Sequence, residues 1–120
     1  MAAVIASGVP RLKTVAGYTR NRASIVGFGP SLRETWQKIT GPIFTTGGAH
    51  DFLVEKGILP TFHVELDVRK HKADMVTPQL GVTYLIASCC HPDWWPKLAG
   101  FDARYWHVLS ADASELAWIA

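Results

Sequence analysis

The sequence has little of what marks disulfide-rich or membrane-spanning proteins. Its 120 residues contain only two cysteines, Cys89 and Cys90, and these are adjacent, so they are poorly placed to staple a fold. No apolar run approaches the ~20 residues that a membrane-spanning helix needs. The apolar start of the chain, residues 1–9, lacks the basic leader of a signal peptide. We therefore expect reduced thiols, a cytoplasmic location and no membrane association.

The chain also has little excess of positive over negative charge. The formal net charge is +2, which is too small to indicate a nucleic-acid partner. The positive charge is concentrated in residues 1–22, which hold Arg11, Lys13, Arg20 and Arg22 and no acidic residue. We interpret residues 1–22 as a basic N-terminal arm. It is either solvated, which is the favoured alternative, or in contact with polyphosphate or nucleic acid.

The remaining residues, 23–120, have the composition and rhythm of one α/β domain. Over all 120 residues the apolar fraction is 48% and the charged fraction 18%, which excludes a disordered chain. Most of the β-rich runs are separated by helix-like segments, which indicates βαβ units, a parallel sheet and a Rossmann-like fold. The five runs are Ala23–Phe28, Pro42–Thr46, Phe62–Asp67, Val82–Ala87 and Arg104–Leu109.

The chain ends on an apolar stretch, Trp118-Ile119-Ala120, with no cap and no polar tail. A five-stranded sheet of this kind usually has a sixth element or a cover on its edge. We therefore expect a domain that is incomplete at its C-terminus. We also expect it to be marginally stable or to self-associate, as a homo-oligomer, through an exposed sheet edge.

The first connection predicts a short helix. Leu32, Trp36 and Ile39 fall on one helical stripe, at spacings of four and three residues. Ser31 and Glu34 have the spacing of a capping box, in which the serine hydroxyl accepts from the Glu34 amide. The sequence therefore predicts a helix capped by Ser31.

The second connection predicts a helix over Ala49–Lys56. Gly57 is placed as the left-handed residue that ends it, and Ile58 as the apolar partner of that ending. Two weaker helices are predicted, one over Lys70–Val76 and one that starts near Pro92 and ends at Gly100.

Two glycine turns lie between predicted strands and helices. The first is Gly27-Phe28-Gly29-Pro30-Ser31, and the second is Gly47-Gly48. Glycine lets bare backbone N–H groups approach a phosphate, and the start of a helix adds free donors. Both turns would face one crevice at the carboxyl ends of neighbouring strands. The alternative is a pair of tight turns in which Ser31 serves as a cap.

The third strand carries alternating polar residues. His63, Glu65 and Asp67 share one face, and Asp67 ends the strand at the same crevice. A carboxylate there suits Mg²⁺ on a nucleotide, or a ribose hydroxyl, and the alternative is an N-cap of the next helix. We expect His63 and Glu65 to form a hydrogen-bonded pair partly covered by a helix. The basic run over residues 69–72 either holds phosphate oxygens or forms a solvated helix face.

A cysteine pair and a histidine follow the fourth strand. Cys89-Cys90-His91 does not match the spacing of a zinc site. His91 is a candidate substrate contact or acid/base, because it follows a strand and titrates near neutral pH. The many tryptophans are expected in or over the core.

Three segments together resemble the MptE-like domain family. They are the stretch Ser24-Ile-Val-Gly-Phe-Gly-Pro-Ser-Leu32, then Gly57-Ile-Leu-Pro60, then the strand that ends in Asp67. That family includes archaeal 6-hydroxymethylpterin diphosphokinases and a domain of flagellin-modifying motility accessory factors. The Gly-Pro-Ser-Leu loop is also similar to that of bacterial sialyltransferases that use CMP-sugars. The resemblance extends over about residues 23–109.

The resemblance implies a nucleotide or diphosphate at the first glycine turn, with Asp67 at the acidic position that holds Mg²⁺. An enzyme of this kind passes a diphosphate from ATP to a pterin alcohol. Two departures are present: relatives often carry asparagine where this chain has Gly47, and they continue into a further Gly/Ser-rich segment. The expected catalytic residues are Asp67 and His91, with Asp67 also the metal ligand, and the expected binding residues are Gly27, Gly29, Pro30, Ser31, Gly47 and Gly48.

Two other functions remain open from the sequence. One is a sugar-nucleotide-dependent glycosyltransferase-like domain. The other is a truncated binding module without catalytic activity.

Overall fold

The computed structural model describes residues 5–12 and 22–108. Five strands alternate with four short α-helices, as the βαβ rhythm predicts. The strands are β1 (Ser24–Val26), β2 (Ile43–Thr45), β3 (Phe62–Glu65), β4 (Thr83–Ala87) and β5 (Asp102–Trp106). The helices are α1 (Leu32–Thr35), continued by a 3-10 turn (Trp36–Lys38), α2 (Ala49–Glu55), α3 (His71–Asp74) and α4 (Trp94–Lys97).

All four strand pairs are parallel, and the spatial order is β1-β2-β3-β4-β5. The prediction of a Rossmann-like α/β domain with a parallel sheet is confirmed. Each crossover advances by one strand in the same direction. Because such crossovers are right-handed in nearly all proteins, this order places all four helices on one face of the sheet.

The face that the helices pack against, here called the covered face, is buried along its whole width. One row of register partners runs Val26, Thr45, His63, Tyr84 and Ala103 across the five strands. All five are buried, and Thr45, His63 and Tyr84 are 0% exposed. The core of the domain therefore lies between this face and the helices.

The opposite face, here called the open face, is less buried; it is mainly apolar, with polar residues near β5 at Thr83, Asp102 and Arg104. It carries Ile25, Phe44, Phe62, Val64 and Leu85. Ile25 is 83% exposed, and the other four are half-buried. The Phe44 and Phe62 rings stack with centroids 4.8 Å apart.

The end of α2 confirms the predicted glycine stop. The Ile58 N–H donates to the Leu53 carbonyl at 2.9 Å, and the Gly57 N–H donates to the Val54 carbonyl at 3.0 Å. Gly57 has φ +80°, a conformation that glycine adopts without steric cost. The two bonds complete the C-terminal motif that satisfies the last carbonyls of the helix.

The start of α1 differs from the prediction, and the capping box is wrong. Ser31 has helical dihedral angles (φ −68°, ψ −18°), and its hydroxyl makes no cap bond. Its carbonyl instead accepts from the Glu34 and Thr35 N–H groups, at 3.0 and 3.1 Å, and from the Thr35 hydroxyl at 3.0 Å. An N-cap side chain needs extended backbone angles to reach the helix amides, and Ser31 is already part of the turn.

The two weaker helices are shorter than predicted. The helix predicted over residues 70–76 is confined to α3, and the one predicted over residues 92–100 is confined to α4. Both keep little more than one turn, and α4 holds Pro96 in its first turn, where no N–H is needed.

Part of the predicted N-terminal arm joins the sheet. The Tyr105 N–H donates to the Pro10 carbonyl at 3.0 Å, and the Leu12 N–H donates to the Tyr105 carbonyl at 2.8 Å. Arg11 forms a parallel bridge with Tyr105, beside β5 and on the opposite edge from β1. Lys13 and Arg20 of the arm and the apolar end at residues 118–120 lie outside the described residues. No helix in the described part is long and apolar enough to cross a membrane.

Candidate functional site

A cleft of about 720 Å³ lies at the carboxyl edge of the sheet, past the ends of β2 and β3. Two turns and the start of α3 supply its polar wall. The side chains and backbone that line this wall belong to Thr46, Gly47, Gly48, Glu65, Asp67 and Lys72. The apolar part of the lining includes Phe28, Met75 and Trp106. The cleft thus combines charged groups with large apolar side chains.

The turn after β2 depends on its two glycines. Gly47 has φ +55°, and its N–H donates to Glu65 Oε1 at 3.1 Å. A Cβ atom on Gly48 would lie 3.2 Å from the ring of Phe28, so a larger residue would displace this ring. Within the described part of the chain, the Gly48 N–H donates to no acceptor. The turn that lines the cleft therefore holds one amide donor without an acceptor among the described residues.

The Asp67 carboxylate is held by Arg69. Asp67 Oδ1 accepts from the Arg69 N–H at 3.0 Å and from Nε at 2.9 Å, and Oδ2 accepts from the guanidinium Nη2. Lys72 Nζ lies 3.9 Å from Oδ2. The hydrogen bonds from Arg69 hold the pKa of Asp67 well below its ordinary value, so the carboxylate is ionised at neutral pH.

These contacts decide between the interpretations of Asp67, and not between those of the basic run, whose His71 and Lys72 lie on α3. Asp67 is not the N-cap of the next helix, because α3 begins at His71 and is preceded by Lys70. Asp67 instead accepts from the Arg69 amide within the turn, so the N-cap alternative is wrong. Arg69 does not lie on a helix face. Its guanidinium forms an ion pair with Asp67.

The pair predicted on β3 is confirmed and extends further into the core. His63 Nε2 lies 2.9 Å from Glu65 Oε1, and His63 Nδ1 lies 2.9 Å from the Thr45 hydroxyl. A proton on Nε2 satisfies both contacts, since Nδ1 then accepts from the hydroxyl. His63 is 0% and Glu65 4% exposed. A fully enclosed histidine thus supports a carboxylate at the wall of the cleft.

A second polar chain lies beside the first. His50 Nδ1 is 2.7 Å from Asp51 Oδ1, and His50 Nε2 is 2.8 Å from the Tyr84 hydroxyl. That hydroxyl accepts from the Gln79 N–H at 2.7 Å. Burial lowers the pKa of His50 and raises that of Tyr84. Both groups are therefore neutral at pH 7.

The two series of hydrogen-bonded side chains are adjacent at His50 and His63, whose rings pack edge to face with centroids 5.1 Å apart. The sequence analysis missed His50 and Tyr84. Tyr84 does occupy the same row of the sheet as Thr45 and His63. The sequence signal that could have indicated Tyr84 is the presence of a polar residue in each of three successive β-rich runs, at Thr45, His63 and Tyr84.

The structure brings only some of the predicted site residues together. Gly47, Gly48 and Asp67 line the cleft. Gly29 and Pro30 line a separate depression of about 340 Å³, which shares only Phe28 with the cleft. Gly27 and Ser31 line a third depression, of about 390 Å³. Of the first glycine turn, only Phe28 therefore lines the cleft that the second turn borders, and its other four residues border separate depressions.

The cysteine pair and His91, which follow β4, do not line the cleft. His91 Nδ1 accepts from the Asp93 N–H at 3.1 Å, within its own turn. The thiols of Cys89 and Cys90 donate to the Leu66 and Glu65 carbonyls, at 3.7 and 3.5 Å, and burial raises the pKa of Cys90 to about 12. Among the described residues, no three His, Cys, Asp or Glu side chains converge as metal ligands.

Comparisons of the chain with protein-family models, with curated proteins and with solved structures found no match. The class is defined by the described residues alone: an α/β domain with a Rossmann-like parallel sheet and a charged cleft at its carboxyl edge.

Proposed function

We propose that the cleft binds a nucleotide together with Mg²⁺, and that the chain acts in a diphosphokinase-type transferase. The observation that carries the proposal is the position of the cleft. Parallel α/β sheets bind their ligands outside the carboxyl ends of the strands, including sheets whose crossovers all run in one direction, and this is where the charged residues converge. The resemblance to the MptE-like family supports the same function.

The charges at the cleft favour a phosphate group near the start of α3. The Lys72 side chain is 21% exposed and keeps its ammonium close to the turn that carries Asp67. The bare amide of Gly48, in the turn after β2 that also lines the cleft, adds a second donor. An ammonium and a backbone N–H are the two kinds of group that most often hold phosphate oxygens.

The protein fits a Mg²⁺ ion that arrives on the nucleotide, and not an ion that the chain holds alone. Asp67 supplies one ionised carboxylate, and Mg²⁺ commonly uses one or two carboxylates together with phosphates and water. Bound in this way, Mg²⁺ neutralises phosphate charge during transfer.

Arg69 is the residue whose contacts would have to change. Its guanidinium occupies both oxygens of Asp67, and its side chain is 62% exposed. A phosphate group offers the same bidentate geometry as a carboxylate. In the proposed complex Arg69 exchanges Asp67 for the phosphates, which frees the carboxylate.

The apolar lining suits the nucleobase. Phe28 and Trp106 present aromatic surface, and Met75 adds a flexible apolar side chain. Phosphoryl transfer requires mainly positioning and charge neutralisation. The chain would therefore contribute by orienting the nucleotide between its apolar and charged walls.

The test is calorimetric titration of ATP, CMP and UDP into the protein, with Mg²⁺ and with EDTA. Wild type should bind ATP in preference to CMP or UDP, and more tightly with Mg²⁺. Asp67→Asn should remove the gain from Mg²⁺, because asparagine keeps the shape but not the charge. The matched control Asp74→Asn, on α3 but outside the cleft lining, should retain it. Preference for CMP or UDP would favour a glycosyltransferase, and binding of no nucleotide would refute the proposal.

A further inference from the structure

We infer that Glu65 is the residue of the cleft that binds the sugar of the nucleotide, with its Oε2 atom accepting a hydrogen bond from a ribose hydroxyl. The inference rests on the proposed nucleotide binding and adds to it a site that the sequence analysis did not assign. It depends on three features of Glu65: how the side chain is held, which oxygen is left over, and what its charge excludes.

The first feature is that Glu65 is held from one side. Oε1 accepts from the Gly47 N–H at 3.1 Å and from His63 Nε2 at 2.9 Å. His63 is itself fixed by Thr45 and completely buried. The carboxylate is therefore oriented before any ligand arrives, which lowers the entropic cost of binding.

The second feature is that the other oxygen is unused. Oε2 accepts no hydrogen bond from any described residue, although Glu65 is only 4% exposed. In the described part of the chain the one enclosed side-chain polar atom without a partner is Trp94 Nε1. Oε2 is therefore not sealed in the core, and the small exposed part of Glu65 faces the cleft that it lines. A nearly buried carboxylate with an empty acceptor position favours a ligand that supplies a donor.

The third feature is charge. A carboxylate repels phosphate, so the phosphates belong near Lys72, whose ion pair is with Asp67 and not with Glu65. What Glu65 can bind is a neutral donor. The sugar carries such donors between the phosphates and the base, and hydrogen bonds from hydroxyls to carboxylates are among the stronger ones.

The first test needs no variant. ATP, 2′-deoxy-ATP and 3′-deoxy-ATP are titrated into wild-type protein with Mg²⁺, and the dissociation constants are compared. Loss of a hydrogen bond to a charged acceptor should weaken binding of at least one deoxynucleotide by about tenfold or more. Equal affinity for all three would overturn the assignment while leaving nucleotide binding intact. No binding of any of them would overturn both.

The second test locates the effect. Glu65→Gln keeps the shape and the acceptor for Gly47 and His63, but it replaces the free oxygen by a neutral amide. The ratio of deoxynucleotide to ATP dissociation constants should fall to about threefold or less. Asp74→Asn should leave the ratio at its wild-type value. An unchanged ratio in folded Glu65→Gln would overturn the role of Glu65.

Discussion

The two faces of the sheet differ in burial, and the covered, more buried face holds a row of polar side chains at its centre. The covered face carries Thr45, His63 and Tyr84 in its central row, and all are completely buried. On the open face, Ile25 and Phe44 are register partners one residue before Val26 and Thr45. Both side chains remain accessible to solvent. Apolar residues on both faces are typical of parallel sheets. Buried polar residues under the helices are not, and they need an explanation.

The explanation is that the buried polar residues form a hydrogen-bonded series that ends at the cleft. From Thr45 the hydrogen bonds run through His63 to Glu65, and Glu65 lines the cleft at the carboxyl edge. A satisfied polar network in a core is costly to assemble and rigid once assembled. The comparison therefore indicates that the covered face supports the site, whereas the open face contributes apolar surface.

The largest expected contrast comes from two adjacent residues of β4. Ile86 is completely buried on the covered face, and Leu85 is half-buried on the open face. Ile86→Ala should lower the free energy of unfolding by about 2–5 kcal/mol, because it leaves a cavity in close-packed surroundings. Leu85→Ala should cost clearly less. Denaturant unfolding of both variants measures the difference, and equal losses would show that the two faces are equally enclosed.

The next effect concerns the polar network itself. Tyr84→Phe removes the hydroxyl that contacts His50 Nε2 and accepts from the Gln79 N–H. Leaving those groups without a partner should cost about 1–3 kcal/mol of unfolding free energy.

The control is Tyr105→Phe, since the Tyr105 hydroxyl makes no hydrogen bond with the described residues, and it should be nearly neutral. A Tyr84→Phe variant as stable as wild type would mean that the network contributes nothing to the fold.

The pH dependence of stability follows from His50. Burial lowers its pKa in the folded state, so between that value and the ordinary value of 6.5 the unfolded chain binds more protons. The free energy of unfolding should therefore decrease as the pH falls below about 6.5. His50→Gln should flatten this decrease, measured as the slope of stability against pH. His71→Gln, on the exposed surface of α3, should keep it, and an unaltered slope in His50→Gln would place the titrating group elsewhere.

The smallest effect is expected on the open face near its edge. Ile25 is 83% exposed, and Ile25→Thr keeps the β-branched shape that strands prefer. The unfolding free energy should change by no more than about 0.5 kcal/mol. A loss of several times that amount in thermal unfolding would show that Ile25 is enclosed in solution.

Much of the fold follows from local patterns. The β-rich runs predicted all five strands, with ends within three residues of those observed. Gly57 and Ile58 predicted how α2 ends, because the motif is encoded within six residues. The capping box failed although its residues are present, since Ser31 adopts helical angles that the sequence does not disclose.

The site was harder to predict because it depends on strand order. Asp67 and the Gly47-Gly48 turn were predicted to meet at a crevice, and both line the cleft. The first glycine turn was predicted at the same place, but only its Phe28 lines the cleft, and its other residues border other depressions. The link from His50 to Tyr84 spans 34 residues of sequence, and no local pattern encodes it.

The most direct test of the account is to map where a nucleotide binds. Backbone amide NMR spectra of the ¹⁵N-labelled protein are recorded as ATP and Mg²⁺ are added. The account predicts the largest shift changes at Gly47, Gly48, Asp67 and Lys72, around the cleft. Changes confined to Gly27, Gly29 and Ser31 would place the phosphates at the first glycine turn instead, and would contradict the assignment of the cleft.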